Sequence, residues 1–186
     1  MKALANTFYN SIKTNALDKG ATHVVVLNLP AITKTPRFQF VLDGVALASG
    51  GGATGAAARV QAEAVFDGWI QAFNVELASK FAGNSSVALV DFYTSFKEEV
   101  ANPSQYGLSN VTIPACPITG VGAGGLPTYT FAACTAASLS ASPPTGVTDP
   151  NWWKTYAFAD SFHPSPYAHQ LIDQAISKSL VAAGWL

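Results

Sequence analysis

Asp160 and His163 are the two residues whose types and spacing best suit chemistry. An Asp-x-x-His on a tight loop can bring a carboxylate against imidazole Nδ1, where it fixes the ring and stabilises the imidazolium. Histidine titrates near neutral pH, which suits proton transfer. Pro164 and Pro166 stiffen the chain after His163. By spacing alone, the pair fits an ordinary surface contact as well. Ser49 precedes Gly50, Gly51 and Gly52. It reads either as a nucleophile beside glycine amides that line an oxyanion hole or as part of a mobile glycine-rich loop. Ser161 lies between the pair, and that neighbour spacing gives the wrong geometry for a nucleophile. Asp91 could line a cleft or cap a helix from Tyr93. Trp152 and Trp153 could wall an acyl site or plug the core. His169 and His23 read as structural, and no third ligand builds a metal centre. No cofactor is expected.

Several elements must position these residues. Leu4, Phe8 and Ile12 recur every four residues, predicting an amphipathic helix over residues 2–18. His23–Leu29 (HVVVLNL) and Val87–Phe92 (VALVDF) read as strands buried on both faces. Residues 31–53 read as a loop or partly ordered segment ending in Gly50, Gly51 and Gly52. A long helix follows over Gly55–Phe81, with Phe66, Ile70, Phe73, Leu77 and Phe81 on one stripe and Trp69 beside it. A short helix covers Tyr93–Val100, and residues 103–154 form a long loop. A third strand, Tyr156–Ala159, leads into the Asp160–Pro166 loop, and a last helix spans Tyr167–Ala183. Strands alternating with helices predict an α/β fold of three layers with a parallel sheet. In such sheets ligands bind at the carboxyl ends of the strands, where Asp160 and His163 fall.

The 186 residues suit one α/β domain over 1–186. Half the residues (49%) are hydrophobic and only 11% are charged, well below an average domain, so part of the surface is expected to be covered. The net charge is −1 and no basic run occurs, which excludes a nucleic-acid footprint. No apolar run is long enough to span a bilayer, and the N-terminal stretch lacks a signal-peptide core. Cys116 and Cys134 lie in a loop rich in Gly, Pro, Ser and Thr. They read as a disulfide, worth about 3 kcal/mol, or as two unlinked thiols. A bridge would favour an oxidising compartment.

The stretch FADSFHPSPYAHQLIDQAI, Phe158–Ile176, resembles the last block of the SGNH/GDSL hydrolases, which carries the Asp and His of their triad. GATHVVVLNLP resembles the strand and Asn-x-Pro turn after the family's third block. Phe73, Asn74 and Leu77 resemble its Phe-Asn-x-x-Leu helix, and VDFYTSFKEEVANPSQYGLSN resembles its Asp-x-Tyr and Asn-Pro-x-x-Tyr-Gly segment. The cysteine loop sits where many secreted bacterial esterases and phospholipase-like members carry one.

The resemblance covers essentially the whole chain. It implies an SGNH (flavodoxin-like) fold in truncated form, a C-terminal part starting after the third block. Asp160 would be the orienting carboxylate and His163 the general acid–base in hydrolysis of carboxylic esters by a serine nucleophile. The family's Gly-Asp-Ser-Leu block and its Gly-x-Asn-Asp block do not occur in these residues; Gly83-Asn84-Ser85-Ser86 is not the latter. The expected partners are an ester or lipid-like small molecule and a second copy covering the open sheet edge. The expected location is extracytoplasmic or secreted. The alternative is a catalytically silent, self-associating fragment or one half of a split hydrolase.

Overall fold

The computed structural model describes residues 1–123 and 125–186. In chain order it runs α1 (Lys2–Asn15), β1 (Val24–Leu27), α2 (Pro36–Ala48), α3 (Gly52–Phe81), β2 (Val87–Val90), α4 (Phe92–Ala101), β3 (Ile118–Val121), β4 (Pro127–Tyr129), α5 (Ala136–Ala141) and α6 (Pro166–Ala182). The contacts group into two compact units. One comprises Met1–Ile32, Ala64–Lys97 and Ile172–Leu186; the other comprises Thr33–Glu63 and Glu98–Leu171.

In the first unit β1 and β2 pair in parallel, Val24 with Val87 through Leu27 with Val90. Their side chains alternate across the sheet. Val26 packs with Ala5, Phe73, Leu77 and Phe81, and Val24, Val87 and Leu89 join from the same face. Of the stripe expected on α3, Ile70, Phe73, Leu77 and Phe81 are in the core, Phe66 is half-buried and the neighbouring Trp69 is exposed. Burial of a side chain such as Leu77 contributes about 1.5–3 kcal/mol. Of the stripe expected on α1, Ile12 faces the core but Leu4 and Phe8 do not. Leu4 and Phe8 are exposed, and Ala5 with Tyr9 and Ile12 forms the core face. His23 is exposed rather than buried and packs edge-on against Trp185 at 4.5 Å.

Where β1 and β2 end, their side chains tie the ends together. Asn28 Nδ2 donates to Asp91 Oδ1 at 2.8 Å, and Asn28 Oδ1 accepts from Tyr93 N at 2.8 Å. Asp91 also accepts from Thr94 N and Thr94 Oγ1, at 3.2 and 2.7 Å, so it caps α4. Burial pushes its carboxyl up, but the bonds from Thr94 and Asn28 outweigh this and hold it below the usual range. Asn74 of α3 bonds both the amide and the carbonyl of Leu29, fixing the chain as it leaves β1.

The second unit holds elements that periodicity does not reveal. Residues 31–53 are not a loop, because α2 occupies most of them. Its start is local: Thr35 Oγ1 accepts from Phe38 N at 3.3 Å, and Pro36 occupies the first turn. Three glycines at positive φ, Gly50, Gly51 and Gly52, then reverse the chain into α3. Gly55 lies so close to α2 that a Cβ there would sit 2.4 Å from the Ala46 carbonyl oxygen.

Within the expected 103–154 loop lie the β3–β4 antiparallel hairpin and α5, the latter capped by Thr135. A small core joins Ala115, Leu139 and Trp152.

The expected third strand forms no ladder with β1 or β2 among the described residues. Tyr156 makes only an isolated parallel bridge to Asn110. The following residues lie along segment 110–116: Ala157 N donates to Asn110 O at 2.8 Å, Ala115 N to Phe158 O at 2.9 Å and Cys116 N to Ala159 O at 2.8 Å. Pro114 and Pro117 bracket those two amides and cannot donate, which stops the pairing from extending.

Candidate active site

The Asp160–His163 loop is built by its backbone. Phe158, almost wholly buried, anchors its start and bridges antiparallel to Pro164. Ala159 N donates to His163 O at 2.9 Å, closing the turn. Ser165 N donates to Ala157 O at 2.9 Å, and buried Ser165 Oγ accepts from Ala168 N at 3.1 Å, starting α6. From outside the turn, Arg37 N donates to Ser161 O at 2.7 Å.

Within the turn the Asp160 carboxylate has two tasks. Oδ1 accepts from Phe162 N and from His163 N, each at 2.8 Å. Asp and Asn favour such turns because their short side chains reach amides just ahead in the chain. Oδ2 lies 2.7 Å from His163 Nδ1. Burial pushes the Asp160 carboxyl up, but the amides of His163 and Phe162 and the imidazole outweigh it and hold it below the ordinary carboxylate range. The carboxylate is thus charged at neutral pH and directs an Nδ1–H toward itself. The Asp160 side chain is 15% exposed and that of His163 is 71% exposed, so the other ring nitrogen is open to a reactant. Phe162 packs edge-on to the imidazole at 5.6 Å, with the Arg37 guanidinium 5.9 Å from the Phe162 ring centre.

Beside Asp160 lies an apolar cavity of about 340 Å³, lined by Phe131, Leu139, Trp153, Ala159 and the bridged Cys116 and Cys134. A second cavity of about 380 Å³ is lined by Ile113, Pro114, Ala115, Leu139, Trp152 and Tyr156. Trp152 plugs the core, and each tryptophan also lines an apolar cavity. Trp152 is a core residue whose Nε1 donates to Leu139 O at 2.9 Å, and it also lines the larger cavity. Trp153 donates to Ser140 Oγ at 3.0 Å and lines the cavity next to Asp160. Neither cavity was visible in the sequence; the signal available was the disulfide loop itself.

Of the remaining candidates, Ser49 ends α2, and the amides of Gly50 and Gly51 are bonded to the carbonyls of Leu47 and Ala46. Those two amides already have acceptors, which removes the argument for an oxyanion hole there. Ser161 is buried. His169 is exposed on the first turns of α6. No group of three or more His, Cys, Asp or Glu among the described residues could hold a metal ion. No helix among them is long and apolar enough to cross a membrane.

Residues 2–176 match the GDSL-like lipase/acylhydrolase family. The chain belongs to that family. The Phe158–Ile176 segment, read above as the family's last block, lies inside the match. Lipase 1 of Photorhabdus luminescens is 31% identical over 173 residues, covering 84% of this chain and 24% of that protein. The chain spans about a quarter of the length of the curated relative it matches. Among GDSL-like hydrolases a mixed α/β fold with a parallel sheet is the expected architecture, and β1 and β2 supply it here.

Proposed function

We propose that the chain supplies the acid–base pair of a carboxylic ester hydrolase, with Asp160 as the orienting carboxylate and His163 as the general acid–base. The 2.7 Å contact between Asp160 Oδ2 and His163 Nδ1 carries this reading. With Nδ1–H held by the carboxylate, the lone pair sits on Nε2. Nε2 accepts the proton of a serine hydroxyl as its oxygen attacks the ester carbonyl carbon. Collapse of the tetrahedral intermediate breaks the bond to the alcohol oxygen, which takes the proton back from Nε2–H. Water then repeats the sequence on the acyl-serine and frees the acid. Asp160 remains charged throughout.

The test is hydrolysis of p-nitrophenyl acetate and butyrate by the purified chain and by His163→Ala. Loss of activity in the variant supports the reading. Equal rates, or none in either, favour the second one, in which the chain is a silent self-associating fragment or one half of a split hydrolase. That second reading is favoured by the lack of a Gly-Asp-Ser-Leu block in these residues.

A homodimer and an extracytoplasmic or secreted location belong to the same proposal. The disulfide supports the location. Exposed Val25 beside a two-stranded sheet supports the dimer. A monomer by light scattering at micromolar concentration would remove it.

A further inference from the structure

From Val100 to Thr148, 49 consecutive residues, the chain has no Asp, Glu, Lys, Arg or His. An average soluble segment of that length carries roughly a dozen charges. Burial does not account for their absence. In this stretch Ile113 is 58%, Val121 67% and Phe131 69% exposed. The apolar residues are also linked. Ile118 pairs with Tyr129 across the hairpin, and the Tyr129 ring stacks on that of Phe131 at 6.1 Å. Phe131 lines the cavity that reaches Asp160, and Ile113 lines the second cavity. Exposed apolar residues of this segment therefore form part of the lining of two apolar cavities, one of which is also lined by Asp160.

We infer that this uncharged segment is a docking surface for the interface of an aggregated, neutral lipid ester. The chemistry of the surface selects that occupant. An anionic membrane is gripped by Lys and Arg, which the segment lacks. A protein partner is met by an apolar centre within a polar, charge-bearing rim, with Arg enriched. Side chains of this kind, with no charge to keep hydrated, gain most from an oily phase that is itself uncharged. The inference rests on the proposed ester hydrolysis only for the choice of lipid, and binding can be read without turnover.

The experiment is flotation of the chain with a tributyrin emulsion, beside Val121→Glu and Phe131→Glu, from about 0.05 to about 1 M NaCl. The expected result is salt-insensitive flotation, weakened roughly tenfold or more by either substitution, since each would place a charge where an apolar side chain enters oil. Far-UV circular dichroism checks the fold, and Val121→Ser and Phe131→Ser replace any variant that fails it. Wild-type chain left in the aqueous phase overturns the inference, as does flotation that neither substitution weakens. So does binding only to phosphatidylglycerol vesicles that salt abolishes. Concentration-dependent dimers by light scattering, lost in the same variants and without flotation, would assign the face to a second copy instead. Hydrolysis of dissolved p-nitrophenyl butyrate is read separately. Flotation without hydrolysis would leave this inference standing and remove the proposed activity.

Discussion

Replacing Asp160 by Asn changes the chemistry of the loop while nearly preserving its shape. The amide oxygen of the new side chain can still accept from the Phe162 and His163 amides, now bonded at 2.8 Å to Oδ1. The other end changes from acceptor to donor. Oδ2, which faces His163 Nδ1 at 2.7 Å, becomes an NH₂ group. The imidazole must then present a lone pair at Nδ1 and carry its proton on Nε2, the nitrogen required as base. In a Ser-His-Asp triad this inversion lowers kcat about 10⁴-fold, equivalent to roughly 5 kcal/mol of barrier. Stability should change much less. Two bonds to a charged acceptor become bonds to a neutral one, a loss of about 1–2 kcal/mol in total. The assays are p-nitrophenyl butyrate hydrolysis, urea unfolding and the ¹⁵N spectrum of the imidazole. The spectrum reports the tautomer even if turnover is absent. An Nδ1–H tautomer unchanged in Asp160→Asn, or a rate within threefold of the wild type, would refute the assignment.

Three further outcomes are expected. Reducing the Cys116–Cys134 bridge, or replacing both cysteines by Ser, should lower stability by about 3 kcal/mol, since it frees a loop with a sequence separation of 18; unchanged urea unfolding would contradict this. Burial pushes the Glu99 carboxyl up from 4.5 to about 7. A carboxyl raised on folding contributes stability that is full below its unfolded pKa and is lost as pH rises through its folded pKa. Stability should therefore decline between about pH 4.5 and 7 on this account, and Glu99→Gln should be about 1–2 kcal/mol more stable at pH 8 with a flatter profile. Gly55→Ala should destabilise by more than the gain in helix propensity, because its Cβ would meet the backbone of Ala46 at 2.4 Å; an unchanged Tm would mean that the two helices separate at little cost.

Legibility followed the length and regularity of each pattern. The stripe of α3 and the β-branched runs of β1 and β2 are strong local signals; Val26, Phe73, Leu77 and Phe81 are buried as they imply, whereas Trp69 is exposed and the expected burial of β1 on both faces fails at Val25. Helix α2 escaped because its apolar residues occupy all sides: Phe40, Val41 and Leu47 are exposed while Leu42 is buried, so no period emerges. Thr35-Pro36, a local start signal, was the clue available. Residues 156–159, expected as a third strand of the parallel sheet, form isolated bridges and bends instead. Their bonds go to segment 110–116, and a choice between backbone partners far apart in sequence leaves no mark in local composition. At the candidate site, residue types and spacing gave the Asp160–His163 contact. The two amides that share the carboxylate belong to a local turn of the kind Asp favours, whereas the cavity beside it depends on how the cysteine loop folds back and left no local mark.

That shared carboxylate couples two events. The oxygen that closes the 160–163 turn and the oxygen that faces the imidazole belong to one group, so a proton taken up by Asp160 weakens both holds at once. In amide hydrogen exchange, the Phe162 and His163 protons should lose protection together on acidification, in step with release of the ring. The loop would open as one cooperative unit rather than fray residue by residue. Acid would thus act on this turn like the withdrawal of a single pin.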